Sequence, residues 1–136
     1  REKLNQMTDI MLKKIRSRGG DIIKVFYCLH SSVENCDCRK PKIGLIKKAL
    51  KFLNVKKVNK NNAYFVGDSI RDVITGKKSG CTTILVLSGR ESLRNKKSWK
   101  PKPDFVVKDL LEASKIILNE NSNYPRFCRP RTQTLR

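Results

Sequence analysis

Asn61-Asn62-Ala63-Tyr64-Phe65-Val66-Gly67-Asp68-Ser69-Ile70-Arg71-Asp72 decides the fold of this chain. Two turn-forming Asn residues precede Ala63–Val66, which is apolar throughout, as in a strand buried on both faces. Gly67 lets the backbone turn sharply, and Asp68 follows at the strand's carboxyl end. A helix is expected from about Arg71 to Ser79, closed by Gly80. Ligands of open α/β sheets bind at the carboxyl ends of strands. Asp68 is therefore expected to point into a crevice, with Asp72 one helical turn further on. Two carboxylates so placed suit Mg2+, which takes oxygen ligands and keeps some water. The plainer alternative is that Asp68 caps the helix.

The same alternation of strand and helix extends in both directions. Upstream, residues 43–53 place Ile43, Ile46, Ala49, Leu50 and Leu53 on one helical face. Residues 3–16 do so with Leu4, Met7, Met11 and Ile15, and Gly19-Gly20 ends that helix. Ile22–Tyr27 is β-branched and aromatic, as in a buried strand. Downstream, Thr82–Leu87 is expected as a strand, 88–103 as a basic loop holding Trp99 and two prolines, and Asp104–Val107 as a short strand. Asp109 caps a last helix running to about Leu118, with Leu110, Leu111, Ala113, Ile116 and Ile117 on its apolar face. This is the pattern of a parallel α/β sheet. The expected organisation is one domain over 1–118 and a flexible basic tail over 119–136. No internal repeat is present.

Composition narrows the classes. A chain of 136 residues, 38% hydrophobic, suits one domain with a core. No apolar run approaches the roughly 20 residues of a membrane span, and no apolar stretch of a signal peptide follows Arg1. A first residue other than Met reads as a processed product or a fragment. Thirty-one Lys and Arg against 12 Asp and Glu leave a net charge of +19, which would draw polyanions. The Lys residues nevertheless fall in scattered pairs with little aromatic interleaving. A Lys-rich surface around a phosphate site is the preferred reading, and nucleic acid the lesser one.

Three of the five Cys crowd into Cys28–Cys38 with the chain's sole His. The spacing is Cys28-x-His30-x5-Cys36-x-Cys38. Zinc takes four N or S ligands in a tetrahedron, and Cys3His is a closed, structural set. The alternative is unligated thiols beside an incidental His. Metal rather than disulfide implies a reducing compartment, here the cytoplasm. Cys81 reads as a small buried apolar residue and Cys128 as an exposed one in the tail. Arg39-Lys40-Pro41 follows the last ligand directly. Arg can fork onto a phosphate and Lys supplies a point charge, so this basic step reads as a phosphate clamp.

Phe26-Tyr27-Cys28-x-His30, Cys36-Asp37-Cys38-Arg39-Lys40-Pro41, Tyr64-Phe65-Val66-Gly67-Asp68, Asp72 and Gly80 together resemble one family. It is that of the D-glycero-D-manno-heptose 1,7-bisphosphate phosphatases and the related histidinol-phosphate phosphatases of the haloacid dehalogenase (HAD) superfamily. The resemblance covers roughly residues 1–118. It implies a Rossmann-like parallel sheet with helices on both faces and a structural zinc loop that shapes the pocket. It also implies that Lys40 steadies the phosphoryl group and the attacking carboxylate, Arg39 contacts substrate, Asp68 binds Mg2+ and Asp72 supports it. Ser69 stands where close relatives often carry Lys.

The implied reaction is removal of one phosphate from a sugar bisphosphate through an Asp nucleophile, with a second Asp two residues on as general acid and base. Those residues sit in a D-x-D-x-[TV] signature on the family's first strand. This chain has no D-x-D, so the first two strands of the family's sheet are expected to be missing and the chain to be inactive alone. Other readings are a histidinol-phosphate phosphatase, a polynucleotide 3′-phosphatase and a non-catalytic zinc-bearing binding module.

Overall fold

A computed structural model describes residues 2–120, which divide into two compact units, one holding the chain through Phe26 and the other starting at Tyr27. The expected tail, with Cys128, lies outside the described residues, apart from its first two, which continue the last helix.

In the first unit, α1 (Glu2–Arg16) carries the expected amphipathic stripe, yet none of its residues is buried. Gly19 takes φ +79°, the left-handed conformation that stops a helix cheaply only in glycine. The strand expected over Ile22–Tyr27 does not form; the segment joins no sheet. β-branched and aromatic side chains favour an extended backbone, but a strand needs a neighbour's N–H and C=O groups. The sheet formed by the described residues has three strands, and this segment is not among them.

The second unit is built on three parallel strands, β1 (Tyr64–Gly67), β2 (Thr82–Val86) and β3 (Phe105–Val107), in that spatial order. Their helices are α2 (Gly44–Phe52), α3 (Ile70–Lys78) and α4 (Leu110–Glu120). All five residues of β2 are buried, which is why it reads as continuously apolar apart from its threonines. Because side chains alternate along a strand, β2 feeds two cores. Ile84 and Val86 pack with Val107 and Ala113, joined by Ile116 and Ile117, under α4. Leu85 packs with Val73 and Trp99, joined by Ile70 and Leu87, under α3. The sheet therefore has helices on both faces, as expected. Cys81 is buried, and burial pushes its thiol up.

At the start of the strands one carboxylate sets the register. Asp104 Oδ2 accepts from the Thr83 N–H and from the Thr83 hydroxyl, each at 2.8 Å. Its Oδ1 meets Lys77 at 2.6 Å and Lys60 at 3.4 Å. In return the Asp104 N–H donates to the Thr83 carbonyl at 3.1 Å. Burial alone would raise the Asp104 carboxyl. The bonds from Lys77 and Thr83 outweigh it and hold the group well below the ordinary aspartate range.

A depressed folded-state pKa gives stability that is present above the unfolded value and lost as pH falls through the folded one. Asp104→Asn should therefore cost about 1–3 kcal/mol in urea unfolding at neutral pH. The gap to wild type should narrow as pH falls below about 4.

Candidate metal and phosphate site

The chain from Cys28 to Ile43 has no regular secondary structure, and its shape is held by its own polar contacts. Asn35 takes a left-handed φ of 40°, a conformation Asn tolerates, and turns the chain between the two ligand pairs. The Lys42 ammonium spans that turn, donating to the Asn35 carbonyl at 2.9 Å and to its side-chain oxygen at 2.7 Å. The Gly44 N–H donates to the Asp37 carbonyl at 2.9 Å, which seats the loop on the start of α2.

These contacts bring all four sequence-identified ligands together. The ligand atoms of Cys28, His30, Cys36 and Cys38 lie within 4.8 Å of one another. Cys38 Sγ is 3.3 Å from the sulfurs of both Cys28 and Cys36, and Cys28 and Cys36 are 3.6 Å apart. His30 presents Nδ1, 3.0 Å from Cys38 Sγ and 3.8 Å from Cys28 Sγ. A zinc tetrahedron with bonds of about 2.3 Å to sulfur and about 2.0 Å to nitrogen has edges of about 3.5–3.8 Å, so the four donors fit such an ion after small adjustments. The chemistry of the cluster points the same way. Hydrogen bonding to Cys28 and Cys36, with burial, pushes the Cys38 thiol up to about 12. At Cys36 burial opposes ionisation, but hydrogen bonds with Cys38, Cys28 and the backbone outweigh it and bring the thiol to about 7. Three sulfurs this close cannot all ionise unless a cation sits among them.

The basic step that follows Cys38 divides its two charges. Arg39 turns back on the loop and donates through Nη2 to the His30 carbonyl at 2.5 Å, while its side chain stays exposed. Lys40 turns forward. Its ammonium meets Asp72 Oδ1 on α3 at 2.5 Å, with the lysine side chain about half exposed and the aspartate side chain 5% exposed. Asp72 is fully engaged: Oδ2 accepts from the Ser69 hydroxyl at 2.7 Å and from the Ser69 N–H at 3.1 Å, closing the capping box of α3. Burial would raise the Asp72 carboxyl, but Lys40 and Ser69 together lower it. Gly67 makes this possible, since a Cβ there would strike the Asp72 side chain.

Asp68 does not cap the helix; Ser69 does. Asp68 stands at the carboxyl end of β1. Its Oδ2 accepts from the Arg90 N–H at 3.2 Å and its carbonyl from the Glu91 N–H at 3.1 Å. Among the described residues no ion pair joins Asp68 to Lys40, and the link between them runs through Asp72 and Ser69. Mg2+ is usually held by one or two carboxylates together with water and substrate phosphate. Asp68 fits the role of one such carboxylate, whereas Asp72, with both oxygens taken, reaches the site through Lys40.

Sequence reasoning missed Gly89, Arg90, Glu91 and Trp99. Trp99 is 2% exposed in the core beneath α3, and its indole N–H donates to Glu91 at 3.0 Å. The available signal was a lone Trp with a Glu eight residues before it, in a stretch read only for its charge.

A family model described as HAD-hydrolase-like matches residues 37–113, more than half of the chain. Similar curated proteins include the D-glycero-beta-D-manno-heptose-1,7-bisphosphate 7-phosphatases of Neisseria meningitidis serogroup A and Pasteurella multocida. The first is 32% identical over 89% of this chain and 64% of the relative; the second is 30% identical over 82% and 61%. The crystal structure of the D,D-heptose 1,7-bisphosphate phosphatase from B. bronchiseptica, complexed with magnesium and phosphate, superposes with a TM-score of 0.73. It is 28% identical, over 86% of this chain and 64% of that one. The chain thus spans a little under two thirds of the length of the relatives it matches. On the family match, and on the parallel sheet with an acid at its carboxyl end, the chain belongs to the HAD-hydrolase-like family.

Proposed function

We propose that this chain supplies the zinc loop, the phosphate-steadying lysine and a magnesium-binding carboxylate of a phosphatase that removes the 7-phosphate from D-glycero-D-manno-heptose 1,7-bisphosphate. The observation that carries the reading is the continuous path from Cys38 through Lys40 to Asp72 and the turn bearing Asp68. The similarity to heptose bisphosphate phosphatases supports the choice of substrate.

In this reading the four ligands hold zinc structurally, because a closed Cys3His set leaves no open position for substrate. Lys40, oriented by Asp72, places one positive charge where the transferred phosphoryl group gathers negative charge. Arg39 lies beside it as the second donor to substrate. Asp68 holds Mg2+, which when bound neutralises charge on the phosphoryl oxygens. No D-x-D pair occurs in this sequence, so no residue of it is assigned as the attacking carboxylate. The three thiols suit a reducing compartment, and we assign the protein to the cytoplasm on that ground.

The complete gene product should release phosphate from heptose bisphosphate in a Mg2+-dependent way. Release from histidinol phosphate or from a DNA 3′-phosphate instead would replace the substrate, and release from none would sink the reading. Lys40→Ala should lower kcat/KM by about 10²–10³, the usual cost of removing a preorganised charge from a phosphoryl or oxyanion site. Cys38→Ser should lose zinc by elemental analysis and raise KM. A Cys38→Ser protein with full zinc content and unchanged KM would break the link between the metal and Lys40.

A further inference from the structure

The loop after β2 doubles back onto Asp68. Gly89 permits the approach, since a Cβ at that position would strike the Asp68 carboxylate. The next two amides then hold Asp68 from two directions: Arg90 N–H on Oδ2 at 3.2 Å and Glu91 N–H on the carbonyl at 3.1 Å. Asp68 Oδ1 takes no hydrogen bond among the described residues.

What fixes those two amides is the Glu91 side chain. Its Oε2 accepts from the Trp99 indole at 3.0 Å, and its Oε1 accepts a longer bond, 3.4 Å, from the N–H of Ile70, the first residue of α3. A negative charge at a helix N-terminus is favourable, and an ionised acceptor strengthens both bonds. Trp99 cannot shift to suit the loop, being 2% exposed and packed with Val73 and Leu85. One carboxylate thus ties a core indole, the start of α3 and the chain segment lying on Asp68. Cutting the tether would free the loop without removing anything that touches Asp68 through a side chain.

We propose that Glu91 is a positioning residue for Asp68. By anchoring the loop to Trp99 and α3 it presses the Arg90 and Glu91 amides against Asp68, turning Oδ2 into the protein and leaving Oδ1 to meet a cation. The inference rests on the reading of Asp68 as a Mg2+ ligand and adds a residue outside the Lys40–Asp72 path.

Glu91→Gln keeps the side chain's shape but sets an amide N–H against one of the two donors. In the complete, zinc-loaded protein, Mg2+ titrated by calorimetry should bind about tenfold more weakly, as is usual when a residue orienting a ligand is altered. Zinc content should stay at its wild-type value and the variant should remain folded by circular dichroism, with at most a modest fall in Tm. A second measurement is read on the wild-type protein, with a variant used only to assign the signal. In wild-type protein the Trp99 indole 15N–1H resonance, assigned by its loss in Trp99→Phe, should move on addition of Mg2+. Magnesium binding that Glu91→Gln leaves within about twofold of wild type would overturn the positioning role alone. So would an indole resonance that stays still at saturating Mg2+. Absence of Mg2+ binding by wild type would overturn the reading of Asp68 and this inference with it.

Discussion

The bond between the Lys40 ammonium and the Asp72 carboxylate is the contact on which the rest of the site depends. It joins two segments distant in sequence: an irregular loop that gathers Cys28, His30, Cys36 and Cys38, and the first turn of a helix fed by a parallel strand. The lysine is half exposed and the acid buried, so the acid is the fixed partner. A buried carboxylate left without its partners would cost more than the pair contributes, and the pair is therefore constraining whatever its net stability. Asp72 is also a capping-box residue, so one side chain starts the helix and aims the lysine.

Around that contact the site is assembled by neighbours in sequence. Cys38 is covalently adjacent to Arg39-Lys40, so a metal ion held by the loop would set the backbone from which the lysine reaches. Asp68 and Ser69 are adjacent on the turn after β1, so capping the helix also places the acid. Apart from the reach of Lys40 and Lys42, little of this geometry depends on long flexible side chains finding each other. It depends on which short segments are rigid, and each is made so by local bonds: Lys42 across Asn35, Ser69 with Asp72, Glu91 with Trp99.

Most of the sheet was legible in the sequence, because β1, β2 and β3 are short apolar runs and helices with an apolar face follow β1 and β3. Ligand spacing marked the Cys/His cluster, and adjacency marked Arg39-Lys40. Two things were hidden, for different physical reasons. Ile22–Tyr27 has the residues of a strand but is not one of the three strands of the described sheet, and strand pairing is non-local, so composition cannot report it. Glu91 and Trp99 lie in a stretch dominated by lysine and arginine, and net charge says nothing about which side chain is pulled into the core. Asp72 was recognised as part of the site, but its capping and its bond to Lys40 need coordinates to be seen.

The Asp104 cluster has a consequence for how such a protein can change. A one-residue slip of β3 against β2 would turn every side chain of β3 to the opposite helix, and Asp104 with Thr83 guards against it from the amino-terminal end of the strands. The carboxyl-terminal turns, where Asp68 and the loop after β2 lie, carry none of that burden. Apart from the positions that hold Asp68, the residues of those turns can change without disturbing the register or the two cores. Innovation in what the site accepts and conservation of how the chain folds are assigned to opposite ends of the same three strands.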